Sequence, residues 1–204
     1  NAGAALIHVA DFGRAHSVLE EAQLPARRLQ SRLIEAALHA VCGMLEARQG
    51  NLNEALAHYE SAAELFQREG DGRGRGDALI NAANARVHRG EYEAARRLLA
   101  EAVRAHRHSG GLLGRANAQA CRGYIQVESG DPDEALATLD RAVELYRQAR
   151  STSGLAHARM LQGNARFKRR DLQGALISYE ESSTLCRQSG DLLGEASEIG
   201  RAHV

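Results

Sequence analysis

Small and large apolar residues recur along the chain with a period of 40 residues. An alanine marks each copy, at Ala15, Ala55, Ala95, Ala135 and Ala175. A large side chain follows four residues later, at Leu19, Tyr59, Leu99, Leu139 and Tyr179, and a small one seven residues later, at Ala22, Ala62, Ala102, Ala142 and Ser182. The spacing i, i+4, i+7 places these residues on one stripe of an α-helix, and five copies in phase are typical of a solenoid.

A second small residue precedes each alanine on a helix of its own, at Gly3, Gly43, Ala83, Gly123 and Gly163. Each unit is therefore predicted to be two antiparallel helices with a tight turn at Gly50, Gly90 or Gly130, since glycine readily adopts the left-handed conformation that closes a helix. The residue after the turn glycine is predicted to cap the second helix. Pro132 at the first helical position and a capping box between Asp131 and Glu134 are the clearest signals.

This pattern resembles the tetratricopeptide repeat in its 40-residue form. The resemblance rests on the small residue of the first helix, the turn glycine, an aromatic or leucine after it (Phe12, Leu52, Tyr92, Leu172), and the Ala, Leu/Tyr, Ala stripe. It implies an all-α, right-handed superhelical solenoid of antiparallel helix pairs, with about five repeats and incomplete terminal ones. The family's bulky residue in the first helix is replaced by His39, Gln119 and Arg159, and only Leu79 keeps it.

The predicted solenoid covers residues 1–197, in repeats of about 1–24, 25–74, 75–114, 115–154 and 155–194. Pro25 interrupts the first repeat, and residues 26–48 are predicted to form one long first helix. Residues 198–204 resemble a translated sequencing adapter and are interpreted as a non-native tail; the alternative is the first turn of another repeat. The chain is therefore expected to be a fragment of a longer protein.

The charge balance argues against two classes of partner. The chain has 26 basic and 26 acidic residues and a formal net charge of zero, so no overall attraction to nucleic acid or an anionic membrane is expected. No apolar run is long enough for a membrane span, and a cytoplasmic location is predicted. Lys168 is the only lysine among many arginines, which is typical of a bacterial source.

A glycine-rich run, EGDGRGRGD at 69–77, is predicted to be an inter-repeat loop, because a phosphate-binding loop needs a preceding strand and a Gly-Lys-Ser/Thr ending. Arg73 and Arg75 within it are an alternative contact for an acidic partner. The loops SGGLLG and SGDLLG are expected to be anchored by their leucines, Leu112, Leu113, Leu192 and Leu193.

Catalytic, metal and cofactor sites are not predicted. Cys42, Cys121 and Cys186 have no C-x-x-C spacing, and Cys42 is expected to be buried. His106 and His108 point to different faces of a helix and make a poor metal pair. No nucleophile, base and orienting group can be assembled from the spacing, so the chain is not expected to be an enzyme.

The resemblance implies that the first helices line a concave groove that binds a peptide or helix of a partner protein. Carried over by position, the predicted partner-binding residues are Arg48, Asp77, Asn84, His88, Asn117, Tyr124, Glu128, His157, Met160, Asn164 and Lys168. Asn84 and Asn164, with Tyr124 between them, are predicted to grip an extended backbone; the alternative is that these asparagines brace neighbouring helices.

Two functions remain open at this point. The first is a protein-interaction scaffold for a protein or peptide segment, without direct nucleic-acid or membrane binding. The alternative is an effector-sensing regulatory domain, fused to other domains of a larger bacterial transcription activator or signalling kinase.

Overall fold

A computed structural model describes residues 31–106 and 111–189, together with the single positions 17, 19 and 21. The regular elements of the ranges 31–106 and 111–189 are eight α-helices: α1 Arg32–Gln49, α2 Leu52–Arg68, α3 Gly72–His88, α4 Tyr92–His106, α5 Leu112–Ser129, α6 Pro132–Gln148, α7 Thr152–Lys168 and α8 Leu172–Ser189. They belong to two compact units, residues 1–110 and residues 111–204, which are described separately below. Most of the first predicted repeat and the predicted tail at 198–204 lie outside the described residues.

The predicted turns between the helices of a pair are confirmed. Gly50, Gly90 and Gly130 all have left-handed backbones, with φ of +87°, +75° and +98°. After α1, the backbone N–H of Gly50 donates to the carbonyl of Ala47 at 3.2 Å, and that of Asn51 to the carbonyl of Glu46 at 2.9 Å. These bonds satisfy carbonyls that the end of a helix leaves without partners.

The first helix of the second repeat is shorter than predicted. Ser31 has an extended backbone, with φ −93° and ψ +101°, and α1 begins only at Arg32. The prediction of one continuous helix over 26–48 is therefore wrong. The serine is a good helix-capping residue type, and it stands directly before the first helical residue even though its side chain makes no capping hydrogen bond.

The glycine-rich run is helical, so the prediction of a loop over 69–77 is wrong. Only residues 69–71 connect the helices, and α3 begins at Gly72. Asp71 caps the helix, with the backbone N–H of Gly74 donating to its Oδ1 at 2.9 Å. A Cβ on Gly74 would stand 2.6 Å from the ring of Phe66 on α2, so the glycine is needed for close helix contact rather than for a loop.

Two smaller predictions about helix starts are also wrong. Leu112 and Leu113 do not anchor a loop: they lie in the first turn of α5 and are both exposed, while Leu192 and Leu193 lie outside the described residues. The Asp131 side chain makes no capping hydrogen bond, so the capping box is not formed. Pro132 does occupy the start of α6, as predicted, where its missing N–H costs no hydrogen bond.

The small residues of the repeat are contact points between the two helices of a pair. The alanines at 55, 95, 135 and 175 are all buried, with at most 2% of their surface exposed. A Cβ on Gly43 would lie 2.6 Å from the ring of Tyr59, and one on Gly163 would lie 2.4 Å from the ring of Tyr179. Glycine at these positions therefore lets a tyrosine of the second helix lie flat against the first.

Each unit has its own apolar core. In the first unit, α2 contributes Leu56 and Tyr59, which pack against Ala82 and Ala85 of α3. In the second unit, the core runs through α5, α6 and α7 and includes Leu139.

The cysteines are free thiols: Cys121 and Cys186 are buried, whereas Cys42 is only half-buried, so its predicted burial is wrong. Burial raises the pKa of the Cys121 thiol to about 12.

Candidate partner-binding site

The second unit brings the first helices of two repeats together. Lys168, at the end of α7, reaches α5, where its Nζ donates to the carbonyl of Val127 at 3.0 Å and to Glu128 Oε2 at 3.0 Å. The lysine and the glutamate are both predicted site residues, and they neutralise each other here. Because α5 and α7 are in direct contact, their predicted site residues lie on neighbouring helices of one unit.

Tyr124 on α5 and Met160 on α7 are half-buried and pack against the core of the second unit. His157, one turn before Met160, is exposed. Tyr124 and Met160 thus have one side on the core and the other at the surface, whereas His157 lies at the surface. Aromatic and thioether side chains that are partly exposed in this way can contact an apolar side chain of a partner.

Two asparagines of this unit are held by tyrosines of second helices. The hydroxyl of Tyr179 on α8 donates to Asn164 Oδ1 at 2.9 Å, and that of Tyr146 on α6 donates to Asn117 Oδ1 at 2.8 Å. Burial, and secondarily the nearby Cys121, raises the pKa of Tyr146, so its hydroxyl stays a neutral donor. For Asn164 this contact is the bracing that the sequence analysis gave as the alternative for Asn84 and Asn164, and whether Asn164 also binds a partner stays a prediction. An asparagine side chain has N–H donors in addition to the oxygen that accepts here.

Asn84 in the first unit has different surroundings, although it stands at the position equivalent to Asn164. Its Oδ1 is buried and has no hydrogen-bond partner among the described residues. The position equivalent to Tyr179 is Leu99, which has no hydroxyl to donate. The same residue type at the same repeat position is thus braced in one unit and left unsatisfied in the other.

The other predicted site residues of the first unit lie in different places. Asp77 Oδ1 lies 3.4 Å from Nε2 of the buried His106 on α4. Arg48 and His88 are exposed in the last turns of α1 and α3. These contacts do not test whether the residues bind a partner, and the Asn84, Tyr124, Asn164 line remains a prediction.

The alternative acidic-partner site changes character because its residues are helical. Arg73 is exposed in the first turn of α3. Arg75 is partly buried, and its Nη2 lies 3.4 Å from Glu101 Oε2 on α4. One of the two arginines is therefore already paired within the unit.

A polar pair that the sequence analysis missed joins the two helices before and after Gly50. His39 Nδ1 on α1 lies 3.0 Å from His58 Nδ1 on α2, and both side chains are half-buried. Burial, and secondarily His39, lowers the pKa of His58, while Glu46 opposes this shift. Spacing about the turn did not point to this pair, since His39 stands 11 residues before Gly50 and His58 stands 8 residues after it.

Two kinds of site were sought over the described ranges 31–106 and 111–189. Within them, no three or more His, Cys, Asp or Glu side chains are placed to hold a metal ion. Likewise, none of the helices described above combines the length and the apolar character that a membrane crossing requires.

Comparison with known protein families agrees, over most of the chain, with the resemblance found in the sequence. A family model of the tetratricopeptide repeat matches residues 33–108, and a second model of that description matches residues 80–149 and 122–189. No curated protein sequence matches the chain.

Three solved structures share the fold. BtubC (BKLC) from P. vanneervenii has a TM-score of 0.65 at 18% identity, over 91% of this chain and 77% of its own. Rap protein complexed with Competence and Sporulation Factor has a TM-score of 0.72 at 17% identity, over 92% of this chain and 58% of its own, less than two thirds of its length. The apo form of RapI has a TM-score of 0.70 at 15% identity, over 98% of this chain and 79% of its own. The predicted all-α solenoid of helix pairs is confirmed.

Proposed function

Because the chain belongs to the tetratricopeptide repeat family, we propose that it is a protein-interaction scaffold whose first helices bind a peptide or helical segment of a partner. The observation that carries this proposal is the contact between α5 and α7 through Lys168, Val127 and Glu128. It puts Tyr124, Met160 and Asn164 on two adjoining first helices, where an extended segment can cross both.

The chemistry of this surface favours an uncharged or weakly charged segment. Lys168 and Glu128 already pair at 3.0 Å, so a partner that uses either charge must compete with the pair. Asn117 and Asn164 hold their oxygens towards tyrosine hydroxyls, and their N–H groups can donate to backbone carbonyls of the segment. Tyr124 and Met160 supply the apolar contact to the segment.

The similar Rap structure supports this reading in general terms, because it is a complex of Rap protein with Competence and Sporulation Factor. A solenoid of this fold therefore holds a second molecule. The regulatory-domain function, a cytoplasmic location and fusion to further domains stay predictions, and each is compatible with a segment bound at α5 and α7.

The test is selection of binding peptides from a phage-displayed random library, followed by affinity measurement. Asn164→Ala should weaken a selected peptide by roughly 2- to 12-fold, which corresponds to one neutral hydrogen bond of about 0.5–1.5 kcal/mol. Ile177→Ala is the matched control, because Ile177 is exposed on α8, a second helix.

A further variant separates binding from bracing. Tyr179→Phe keeps the ring beside Gly163 and removes only the hydroxyl that holds Asn164. We expect it to lose less affinity than Asn164→Ala. If the selected peptides bind Asn164→Ala as tightly as the parent chain, the proposed site is wrong.

A further inference from the structure

Two imidazole rings face each other between α1 and α2. His39 Nδ1 lies 3.0 Å from His58 Nδ1, and the ring planes are tilted by 44°, with their centroids 5.2 Å apart. The rings therefore do not stack, and each directs one nitrogen towards the other. Both side chains are half-buried, so each ring also reaches solvent.

Packing of a helix pair does not require histidines at these positions. The equivalent residues of α3–α4 are Leu79 and Leu98, and Leu79 is buried. The equivalent residues of the second unit are Gln119 and Thr138 in α5–α6, and Arg159 and Ser178 in α7–α8. Among the four described helix pairs, α1–α2 alone carries two imidazoles here, and they bring a chemistry that packing does not need.

The contact between the two rings is a place where a cation can bind. A neutral imidazole has one N–H and one acceptor nitrogen, so one ring must donate from Nδ1 and the other accept. A metal ion can replace the shared proton if the donating ring loses its Nδ1 proton to water and takes one at Nε2. Both rings then stay neutral, which is the form in which histidine binds metals.

The separation of the two nitrogens fits a single metal ion. Imidazole nitrogens bind Zn²⁺ at about 2.0–2.1 Å, which places two of them about 2.9 Å apart at an octahedral ion and about 3.4 Å apart at a tetrahedral one. The observed 3.0 Å lies within this range. The two helices therefore need not separate to admit an ion, and rotation of the rings directs both lone pairs at it.

The nearby charge also favours a cation. Glu46 opposes the effect of burial that lowers the pKa of His58, so its carboxylate favours positive charge beside this ring. The carboxylate is itself held, because Asn51 Nδ2 donates to Glu46 Oε2 at 2.8 Å. Glu46 therefore acts through its charge rather than as a ligand.

We propose that His39 and His58 bind a divalent transition-metal ion such as Zn²⁺ through their Nδ1 atoms and so link α1 to α2. The described residues supply two ligands, fewer than the four of a closed structural site, and water fills the remaining positions. Imidazole suits Zn²⁺, Ni²⁺ and Cu²⁺, whereas Mg²⁺ prefers oxygen ligands. Because the ion binds the folded helix pair, it stabilises the first unit.

The test is thermal unfolding of the whole chain, first stripped with EDTA and then titrated with ZnCl₂. We expect the melting temperature to rise with the Zn²⁺ concentration and to return to its starting value when EDTA is added. An equal concentration of MgCl₂ should leave it unchanged. Isothermal titration should show binding of one Zn²⁺ per chain over the same concentrations.

Variants of the pair identify the ligands. The double variant His39→Leu, His58→Leu reproduces the Leu79 and Leu98 combination of α3–α4, so it should fold while lacking both ligands. It should lose the rise in melting temperature and the binding of one ion. Equal helicity by circular dichroism establishes that the variants are folded.

Two single variants are matched controls. His88→Gln removes an exposed histidine of α3 that lies outside the pair. Cys42→Ser removes a half-buried thiol one turn after His39 on α1. Both should keep the rise, because neither side chain is one of the two proposed ligands.

The proposal is overturned if ZnCl₂ leaves the melting temperature of the parent chain unchanged, or if the double leucine variant keeps the rise. It is also overturned if His88→Gln or Cys42→Ser abolishes the rise, since another side chain then holds the ion.

Discussion

The helix pairs α3–α4 and α7–α8 carry the same asparagine at equivalent positions, with different packing around it. In α7–α8, Gly163 precedes Asn164, and both contact Tyr179: the glycine lies against the ring and the asparagine accepts from the hydroxyl. In α3–α4, the corresponding residues are Ala83, Asn84 and Leu99. The tyrosine ring thus occurs with glycine in α7–α8, and the smaller leucine occurs with alanine in α3–α4.

This difference shows that the repeat specifies combinations rather than single residues. Tyr59 and Tyr179 both lie against a glycine of the first helix, and Tyr179 also donates to Asn164, which follows its glycine. In α3–α4, Leu99 stands in place of the tyrosine and Ala83 in place of the glycine, and Asn84 Oδ1 is left without a partner among the described residues, whereas Leu139 of α6 lies against Gly123. An asparagine found by alignment of repeats therefore does not have one fixed role.

The largest effect is expected from breaking the combination in α7–α8. Tyr179→Leu leaves a void beside Gly163 and removes the hydrogen bond to Asn164, which together should cost on the order of 2–3 kcal/mol of unfolding free energy. Adding Gly163→Ala should recover part of this loss, because the double variant reproduces the Ala83 and Leu99 arrangement. Urea unfolding of the four chains in the cycle measures the coupling.

The control is Gly163→Ala alone. With Tyr179 present, a Cβ at position 163 would lie 2.4 Å from the ring, so the substitution should destabilise the chain although alanine favours a helix. Stabilisation in both backgrounds would show that helix propensity, rather than contact with the ring, decides the effect.

A smaller effect should separate the two asparagines. Asn164→Leu removes the bond from Tyr179 and is expected to cost about 1 kcal/mol. Asn84→Leu replaces a side chain whose oxygen is already unsatisfied, and it should be neutral or stabilising. Thermal unfolding of both variants tests the contrast; equal losses would mean that the tyrosine hydroxyl contributes nothing specific.

The repeat arrangement was predictable because periodic small residues and turn glycines act locally. Gly50, Gly90 and Gly130 have the predicted left-handed backbones, and the helices follow the 40-residue phase. The start of α3 was not predictable from local preference, because three glycines within it favour a loop. Packing of Phe66 against Gly74 outweighs that preference.

The candidate site was predictable only as a set of positions. The sequence placed Glu128 and Lys168 on the same surface, but not in contact, because their pairing depends on how close α5 and α7 come. The bonds to Asn117 and Asn164 depend in the same way on which second-helix residue reaches each amide. The His39–His58 pair was missed because His39 stands where the resembled family has a bulky apolar residue.

The turns of the two helix pairs differ in a further way. In the α3–α4 turn, Arg86 Nη1 donates to Glu91 Oε2 at 2.5 Å, and Arg89 Nη2 lies 2.7 Å from Glu91 Oε1. In the α7–α8 turn, Asp171 instead accepts from the backbone N–H of Gly174 at 2.9 Å. One turn therefore depends on ion pairs and the other on a helix cap.

The smallest effect is expected from Glu91→Gln. The hydrogen bond from Arg86, with the charges of Arg86 and Arg89, lowers the pKa of Glu91. A carboxyl with a lowered folded-state pKa stabilises the protein above its unfolded pKa, and this contribution is lost as the pH falls through the folded value. At neutral pH, the parent chain should thus have a slightly higher melting temperature than Glu91→Gln. This difference in melting temperature should vanish in acid and shrink with added salt. Asp171→Asn is the matched variant in the other turn, where the side chain caps a helix and asparagine can cap it as well. A salt-independent difference for Glu91→Gln would contradict the ion-pair account of this turn.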